Sequence, residues 1–362
     1  MKSLISQVIA YSPFLAALLA FVTCVLPARL GVRGRAVWAF VLLMAASRSV
    51  VFKHLGGNLF LPDFPQAVIW GWYFACSALY VFIALRLFWW TPRGRLTLMP
   101  AIAVALTAYG AWEGFKAPSV REVELSYPDL PAQLDGYRIA QISDIHCSSA
   151  ALGWRTRAIV DAANAAKPDL VCLTGDFVDG LVAKRADDLR PIFGLRAKDG
   201  VLWVTGNHEY YLDALRWRSW YRQNGARFLS NEWTSPRPGL VVAGVNDPDA
   251  VRRRLDVGPD VAGAFAGAPT NDFRVLLSHR PKTFRENVKK GGFDLQLSGH
   301  THGGIAPGIA WVVAKMNGGF VRGLYAEGDA KLYVNPGAGQ WAGCPLRFFN
   351  PSEITLFVLR RK

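Results

Sequence analysis

Cysteine is scarce in this chain. The five residues Cys24, Cys76, Cys147, Cys172 and Cys344 are too few and too scattered for a disulfide framework, and all five read as free thiols. They say little about the redox compartment. No internal repeat and no low-complexity stretch is present. Acidic charge is nearly missing from the first third: residues 1–115 carry two Asp/Glu and nine Lys/Arg, against 25 and 32 in residues 116–362. A stretch so poor in charge does not read as an ordinary water-facing domain, and the step near residue 115 divides a bilayer-like part, 1–115, from a water-like part, 116–362. Nucleic acid is excluded as a partner: no known binding module is visible, and the longest basic run is only Arg252-Arg253-Arg254. The formal net charge of +14 then fits an anionic membrane surface or a phosphorylated substrate.

What the first part does have is long apolar runs. Four of them, Leu4–Leu26, Ala36–Phe52, Ala67–Trp90 and Leu96–Phe115, approach the ~20 residues needed to cross a bilayer as a helix. The second is short and carries Arg48 near its end, where the side chain can snorkel to the interface. Trp38, Trp70, Trp72, Trp89, Trp90 and Trp112 flank the runs like interfacial belts. The first run is too long for a signal peptide, lacks a small-residue cleavage site, and is followed by more spans. The expectation is a multi-pass anchor of about four spans. Arg29, Arg33, Arg35, Arg86, Arg93 and Arg95 concentrate in its two short turns, against Lys2, Arg48, Lys53, Lys116 and Arg121 on the other side. That bias places the arginine-rich turns inside and the C-terminal domain outside the cytoplasm.

From about Val120 the pattern changes. Short apolar or β-branched runs (YRIAQISD, PDLVCLTGD, GVLWVTGNHE, LVVAGVND, FRVLLSHR, FDLQLSGH, KLYVNPG and EITLFVL) alternate with helical stretches such as Arg157–Ala166. Each stops at Gly, Asp, Asn or His. This is an α/β pattern with polar residues at strand ends, where open sheets commonly place their sites. Of six histidines, all except His54 fall just beyond a predicted strand: His146, His208, His279, His300 and His302. A lone histidine is more often structural than a ligand, but five in the same setting point to metal. Carboxylate, amide and imidazole donors without thiolate suit Mn, Fe or Zn rather than a structural zinc knot. Cys147, beside His146, is not expected to be a ligand.

The blocks run in order: Asp144-Ile145-His146, Gly175-Asp176-Phe177-Val178-Asp179, Gly206-Asn207-His208-Glu209, Ser278-His279, and Gly299-His300-Thr301-His302-Gly303-Gly304. This set resembles the calcineurin-like metallophosphoesterase superfamily, whose signature is D-x-H, G-D-x-x-D, G-N-H-[DE], a lone His and G-H-x-H. The SHRP, GHTHGG and NPGAGQW…PLR…EITL stretches make it most similar to the bacterial membrane-associated branch. The resemblance covers residues 135–360.

It implies a metallophosphoesterase-type β-sandwich flanked by helices, and hydrolysis of a phosphomonoester, phosphodiester or pyrophosphate by a metal-bridging hydroxide. It also implies two divalent metal ions, with Mn favoured. Asp144, His146 and His302 would hold one and Asn207, His279 and His300 the other, with Asp176 bridging. His208 would serve the leaving group and Asp179 would orient it. Glu209 either supports the neighbouring histidine or, as preferred, is the acidic residue of a helix first turn.

Arg280 and Arg347 are candidates for a substrate phosphate or a lipid headgroup, or simply for the surface. Trp217 and Trp220 are either exposed aromatics for a membrane-linked substrate or one packed helix face. The alternatives are a non-catalytic, metal-stabilised membrane receptor or scaffold, against which His208 speaks, and a transporter. The runs offer a transporter only Arg48, Arg86 and Glu113, all near their ends. The expected substrate is a phosphorylated small molecule or a lipid-linked phosphate at the membrane.

Overall fold

Strands that read as unbroken apolar runs should be covered on both faces, and in the computed structural model they are. The structure describes residues 2–47, 50, 66–88, 99–305, 307–341 and 346–362. Arg48, Lys53, His54, Asp63, Trp89, Trp90, Arg93, Arg95 and Cys344 therefore lie outside the described residues. The chain divides into two compact units, Met1–Glu113 and Gly114–Lys362.

The second unit holds twelve strands among the described residues. In chain order they are β1 Ser119–Tyr127, β2 Arg138–Ile142, β3 Leu170–Thr174, β4 Val201–Val204, β5 Arg227–Phe228 and β6 Glu232–Arg237, then β7 Leu240–Gly244, β8 Phe273–Leu277, β9 Leu295–Ser298, β10 Gly323–Glu327, β11 Ala330–Val334 and β12 Glu353–Arg361. They form two mixed six-stranded sheets, ordered β1-β12-β2-β3-β4-β5 and β10-β11-β9-β8-β7-β6. Between the sheets lie Ile139, Leu170, Cys172, Leu202 and Val204 from one and Val242, Val275, Leu277, Leu295 and Leu297 from the other. The residues between them in sequence point outward. Ala140, Ile142, Val171 and Leu173 pack under the helices Gly153–Ala165 and Ala214–Gln223. Val241, Ala243, Leu276, Leu332 and Val334 pack with Phe265, Phe284 and Phe320. The result is a sandwich with helices on both outer faces, and period-two alternation decides which residue meets which layer.

Strands β2, β3 and β4 run parallel, as do β11, β9, β8 and β7. Their C-terminal ends carry every proposed ligand. Buried polar groups link the two sheets beneath that edge: Gln141 Nε2 donates to Thr174 Oγ1 at 3.1 Å and to the Ser298 carbonyl at 2.9 Å.

Trp217 and Trp220 form the packed helix face and not a lipid-facing pair. Both are buried, and Trp217 Nε1 donates to the Gly180 carbonyl at 2.7 Å. Arg347 is not a surface residue either. It is buried, and its guanidinium donates to the carbonyls of Pro336, Gly337 and Gly339 and to Gln340 Oε1, which shapes the loop after β11.

In the first unit, helices cover Lys2–Ala20, continued by a π-helical turn Phe21–Val25, and then Val32–Ala46, Gln66–Phe88 and Met99–Phe115. Each falls within or near one of the four apolar runs. Of these helices one is long and apolar enough to cross a membrane, through Val68–Leu85 with mean hydropathy 1.8. The expectation of four spans thus narrows, on length and composition, to that one.

Arg155 generates a prediction. It is 1% exposed and donates to the carbonyls of Gly114, Phe115 and Ala338, to Ser352 Oγ, and at close range to the carbonyl of Lys116. Burial, and then the charge of Arg347, lower its pKa to about 9, so it stays charged at neutral pH. Arg155→Met leaves those acceptors without their donor. It should cost about 3 kcal/mol, since an unsatisfied buried acceptor costs ~1–3 kcal/mol. Thermal unfolding of the full chain, followed by tryptophan fluorescence, reads this directly. An unchanged midpoint refutes it.

Candidate metal centre

Five of the proposed ligands sit in left-handed backbone, which non-glycine residues adopt rarely: Asp144 (φ 53°), His146 (49°), Asp176 (58°), His300 (74°) and His302 (49°). A chain leaving a strand must turn at once to aim two alternate side chains at one point, and these residues carry that strain. Glycines make the room. A Cβ on Gly206 would lie 2.2 Å from Asp176 Oδ1, and one on Gly299 would lie 1.9 Å from Ser143 Oγ.

Three groups of donor atoms converge, each within 4.8 Å: Asp144, His146 and His302; Asp176, His279 and His300; His146, Asp179 and His208. In the first, His146 Nε2 and His302 Nε2 are 3.1 Å apart, and Asp144 Oδ1 lies 3.4 Å from His302 Nε2. In the second, Asp176 Oδ2 lies 3.1 Å from His279 Nε2. The same oxygen is 3.9 Å from His146 Nε2 and 3.9 Å from His208 Nε2, so Asp176 stands between the sets. The residues fit a pair of cations on two further observations. His279 Nδ1 donates to the Thr174 carbonyl at 2.7 Å, which turns Nε2 inward, and that buried nitrogen makes no hydrogen bond. The buried Asn207 Oδ1 likewise has none, while its Nδ2 donates to the Tyr211 hydroxyl at 3.0 Å.

The electrostatics follow from packing carboxylates and imidazoles without water. Burial alone would raise the Asp176 pKa, but His279 and His208 hold it well below the usual carboxylate range. Burial raises Asp144. Burial opposes charge on His208 and on His279, yet Asp179 with Asp176 lifts His208 to about 9, and Asp176 lifts His279 to about 10. Burial, reinforced by neighbouring positive groups, pushes His300 and His302 well down, into the neutral form that ligates metal. Asp179 serves two histidines, not one. Its Oδ2 accepts from His146 Nδ1 at 3.0 Å and its Oδ1 accepts at close range from His208 Nδ1.

Glu209 does more than complete a first turn. Its carboxylate accepts from the backbone N–H of Asp176 (2.8 Å), Phe177 (2.7 Å) and Gly206 (2.7 Å). It therefore fixes the turn that carries Asp176 against the one that carries Asn207. The sequence signal was its place two residues after Asn207, which a helix start explains equally well. Asn350 was also missed; its Nδ2 donates to the His302 carbonyl at 2.6 Å. Arg280 is engaged by protein: it pairs with Asp247 at 2.6 Å and Asp249 at 3.2 Å. Cys147 is buried with its thiol pKa raised by burial, and it belongs to none of the three donor groups found among the described residues.

Comparison with known proteins agrees with this geometry. The pattern of the calcineurin-like phosphoesterases matches residues 137–304. A relative described as an uncharacterized metallophosphoesterase, from Helicobacter pylori strain J99, is 34% identical over 263 residues, which cover 72% of this chain and 69% of that protein. Another so described, from Aquifex aeolicus, is 30% identical over 268 residues, covering 72% of this chain and 98% of that one. The transmembrane protein with metallophosphoesterase domain of Danio rerio is 32% identical over 278 residues, 74% of this chain and 63% of its own length. The chain belongs to the calcineurin-like metallophosphoesterases, a dimetal-dependent family.

Two outcomes follow. Glu209→Gln loses an anionic acceptor shared by three N–H groups and should weaken metal binding by about 10–100-fold, the usual scale for a group that orients ligands. Titration with Mn followed by calorimetry measures it, and unaltered affinity sinks it. Asp179→Asn removes the anion that favours the imidazolium of His208. The protonated form is then lost at lower pH, and the alkaline limb of the kcat profile should move down by about one unit or more. A limb that stays in place, or moves up, contradicts it.

Proposed function

We propose that the chain is a membrane-anchored phosphoesterase acting with two divalent cations. Asp144, His146 and His302 would hold one, Asn207, His279 and His300 the other, and Asp176 would be shared. The observation that carries this is the position of Asp176 Oδ2, 3.1 Å from a nitrogen of the second set and 3.9 Å from one of the first. Such a pair supplies an acidified water and a clamp on the attacking and leaving oxygens of a phosphoryl group. Mn is the proposed metal, and Fe or Zn also suits these nitrogen and oxygen donors.

The protein's own share is proton management and position. His208 Nδ1 is committed to Asp179, so the proton available to a leaving-group oxygen is the one on Nε2. Asp179 and Asp176 keep that imidazole protonated at neutral pH. Cations in the adjacent donor sets would pull its pKa down from about 9 towards neutrality, where a leaving-group acid works best. A purely structural metal knot has no use for such a group, and this favours an enzyme over a scaffold.

The membrane reading rests on the first unit. Its packed interior combines Ala16, Ala17, Ala20, Ala45, Ala46 and Ala103 with Ile69, Tyr73, Leu79, Phe82 and Met99. Leu15, Leu18, Phe40, Leu43 and Trp112 are exposed. Alanine-rich helix contacts together with large apolar side chains on the outside suit helices packed in lipid, so the three other helices are proposed to span beside Val68–Leu85. The name of the Danio rerio relative points the same way. The arginine-rich turns would face the cytoplasm and the second unit the other side. Protease added to intact cells should then cut the second unit, and full protection would reverse the orientation.

The activity test uses the full chain in detergent with Mn and a chromogenic phosphomonoester and phosphodiester. His208→Ala should lower kcat by ~10²–10⁴-fold with metal content unchanged. Asp176→Ala should lose both turnover and metal. Turnover by both variants at the unsubstituted rate would falsify the proposal.

A further inference from the structure

A surface helix ordinarily has a polar face, and helix Pro307–Met316, PGIAWVVAKM, has none. Its inner side, Ala310, Val313 and Ala314, is half-buried, and Asn317 just beyond is buried. Its outer side is apolar too: Ile309, Val312 and Met316, spaced three and four apart, are exposed together with Trp311, which is 64% exposed. Lys315 is the one charge on the helix, and its ammonium lies 3.7 Å from the Trp311 ring centroid. An apolar outer face of this kind marks an interaction surface.

The helix is tied to the metal centre. It follows the His302–Gly304 turn almost directly, and a Cβ on Gly304 would lie 2.6 Å from Ala310 Cβ. Phe348 N donates to the Ile305 carbonyl at 3.2 Å, and the next residue, Phe349, is 69% exposed. Asn350, one further on, holds the His302 carbonyl and accepts from Arg322 at 2.9 Å. Phe349 thus adjoins Asn350, which holds the His302 carbonyl, and the helix begins five residues after His302. Both segments are strained where they leave the site, with Ile305 at φ 63° and Phe349 at φ 56°. Cations border the surface: Lys282, Lys315 and Arg322 are exposed, whereas Arg285, which donates to the carbonyl of Gly318 just past the helix, is paired with Glu327 at 3.4 Å.

We infer that helix Pro307–Met316, with Phe349, is an interfacial element that inserts its outer face into an anionic lipid bilayer and holds the metal centre at headgroup depth. Trp over aliphatic side chains, with lysine and arginine at the margin, is the chemistry of an interface-lying helix: the apolar face enters the acyl boundary and the cations meet lipid phosphates. Charge complementarity favours this occupant over a second copy of the chain, whose matching face would carry the same positive groups. The consequence for substrate, a phosphate borne at headgroup depth, rests on the phosphoesterase reading. The docking itself does not.

The test uses the full chain reconstituted in vesicles of phosphatidylethanolamine and phosphatidylglycerol that contain a phospholipid with a photoactivatable diazirine in its acyl chain. After irradiation, peptide mapping by mass spectrometry should find label on 307–316 as well as on Val68–Leu85. Trp311→Glu should reduce the label on 307–316 by about tenfold, as removal of a large apolar anchor demands, while turnover of a soluble phosphoester stays the same. Omitting phosphatidylglycerol should reduce it as well. Label confined to the first unit, or label indifferent to both changes, overturns the inference. Label on the helix without any phosphoester turnover would instead sink the proposed function and leave the docking intact.

Discussion

A carboxylate taken out of water must be surrounded by donors, and the whole second unit is arranged so that Asp176 is. Its own N–H is held by Glu209, its Oδ1 accepts from the N–H of His208 at 2.8 Å, and its Oδ2 faces imidazoles from three different loops. Meeting that demand from so many directions requires several strand ends at one level. The parallel central strands of both sheets supply them, and the sandwich core beneath sets their height. The polar bridge from Gln141 to Thr174 and Ser298 keeps the two sheets in register at the edge where the donors emerge.

Sequence foretold much of this because the central strands advertise themselves. PDLVCLTGD and FDLQLSGH are short, wholly buried runs closed by a turn and a polar residue, and nothing else in a chain looks like that. The edge strands were less legible. In β1 the first four residues, Ser119–Glu122, are exposed, and β6 carries a proline and alternates little, so neither shows the apolar run that burial imposes. The residues whose donor atoms converge were legible through type and order. The groups that hold them were not: Glu209, Asn350 and Arg347 act through backbone N–H and carbonyl groups, and a backbone partner leaves no mark on the amino-acid pattern. Trp217 was ambiguous for a related reason, since an aromatic on an amphipathic helix serves lipid and core equally well.

The two units distribute their large side chains differently. In the second, large aliphatics fill the interior and arginines are drawn in to solvate carbonyls, as Arg155 and Arg347 do. In the first, alanines share the contacts with Ile69, Tyr73, Leu79 and Phe82, and many other large apolar side chains are exposed. Helix Pro307–Met316 belongs by sequence to the second unit but, like the helices of the first, leaves large apolar side chains exposed.

The left-handed backbone at the donors bears on how such a centre drifts over generations. At Asp144 and Asp176 the side chain and the turn are requirements of one codon, and of the other residues Gly and Asn enter that region at least cost. A lineage that abandons hydrolysis but keeps the fold should therefore pass through asparagine or glycine at these two positions. Alanine would surrender the turn together with the charge. A descendant carrying asparagine there could look intact in every other block, and would be recognised as a retired centre only by the lost negative charge.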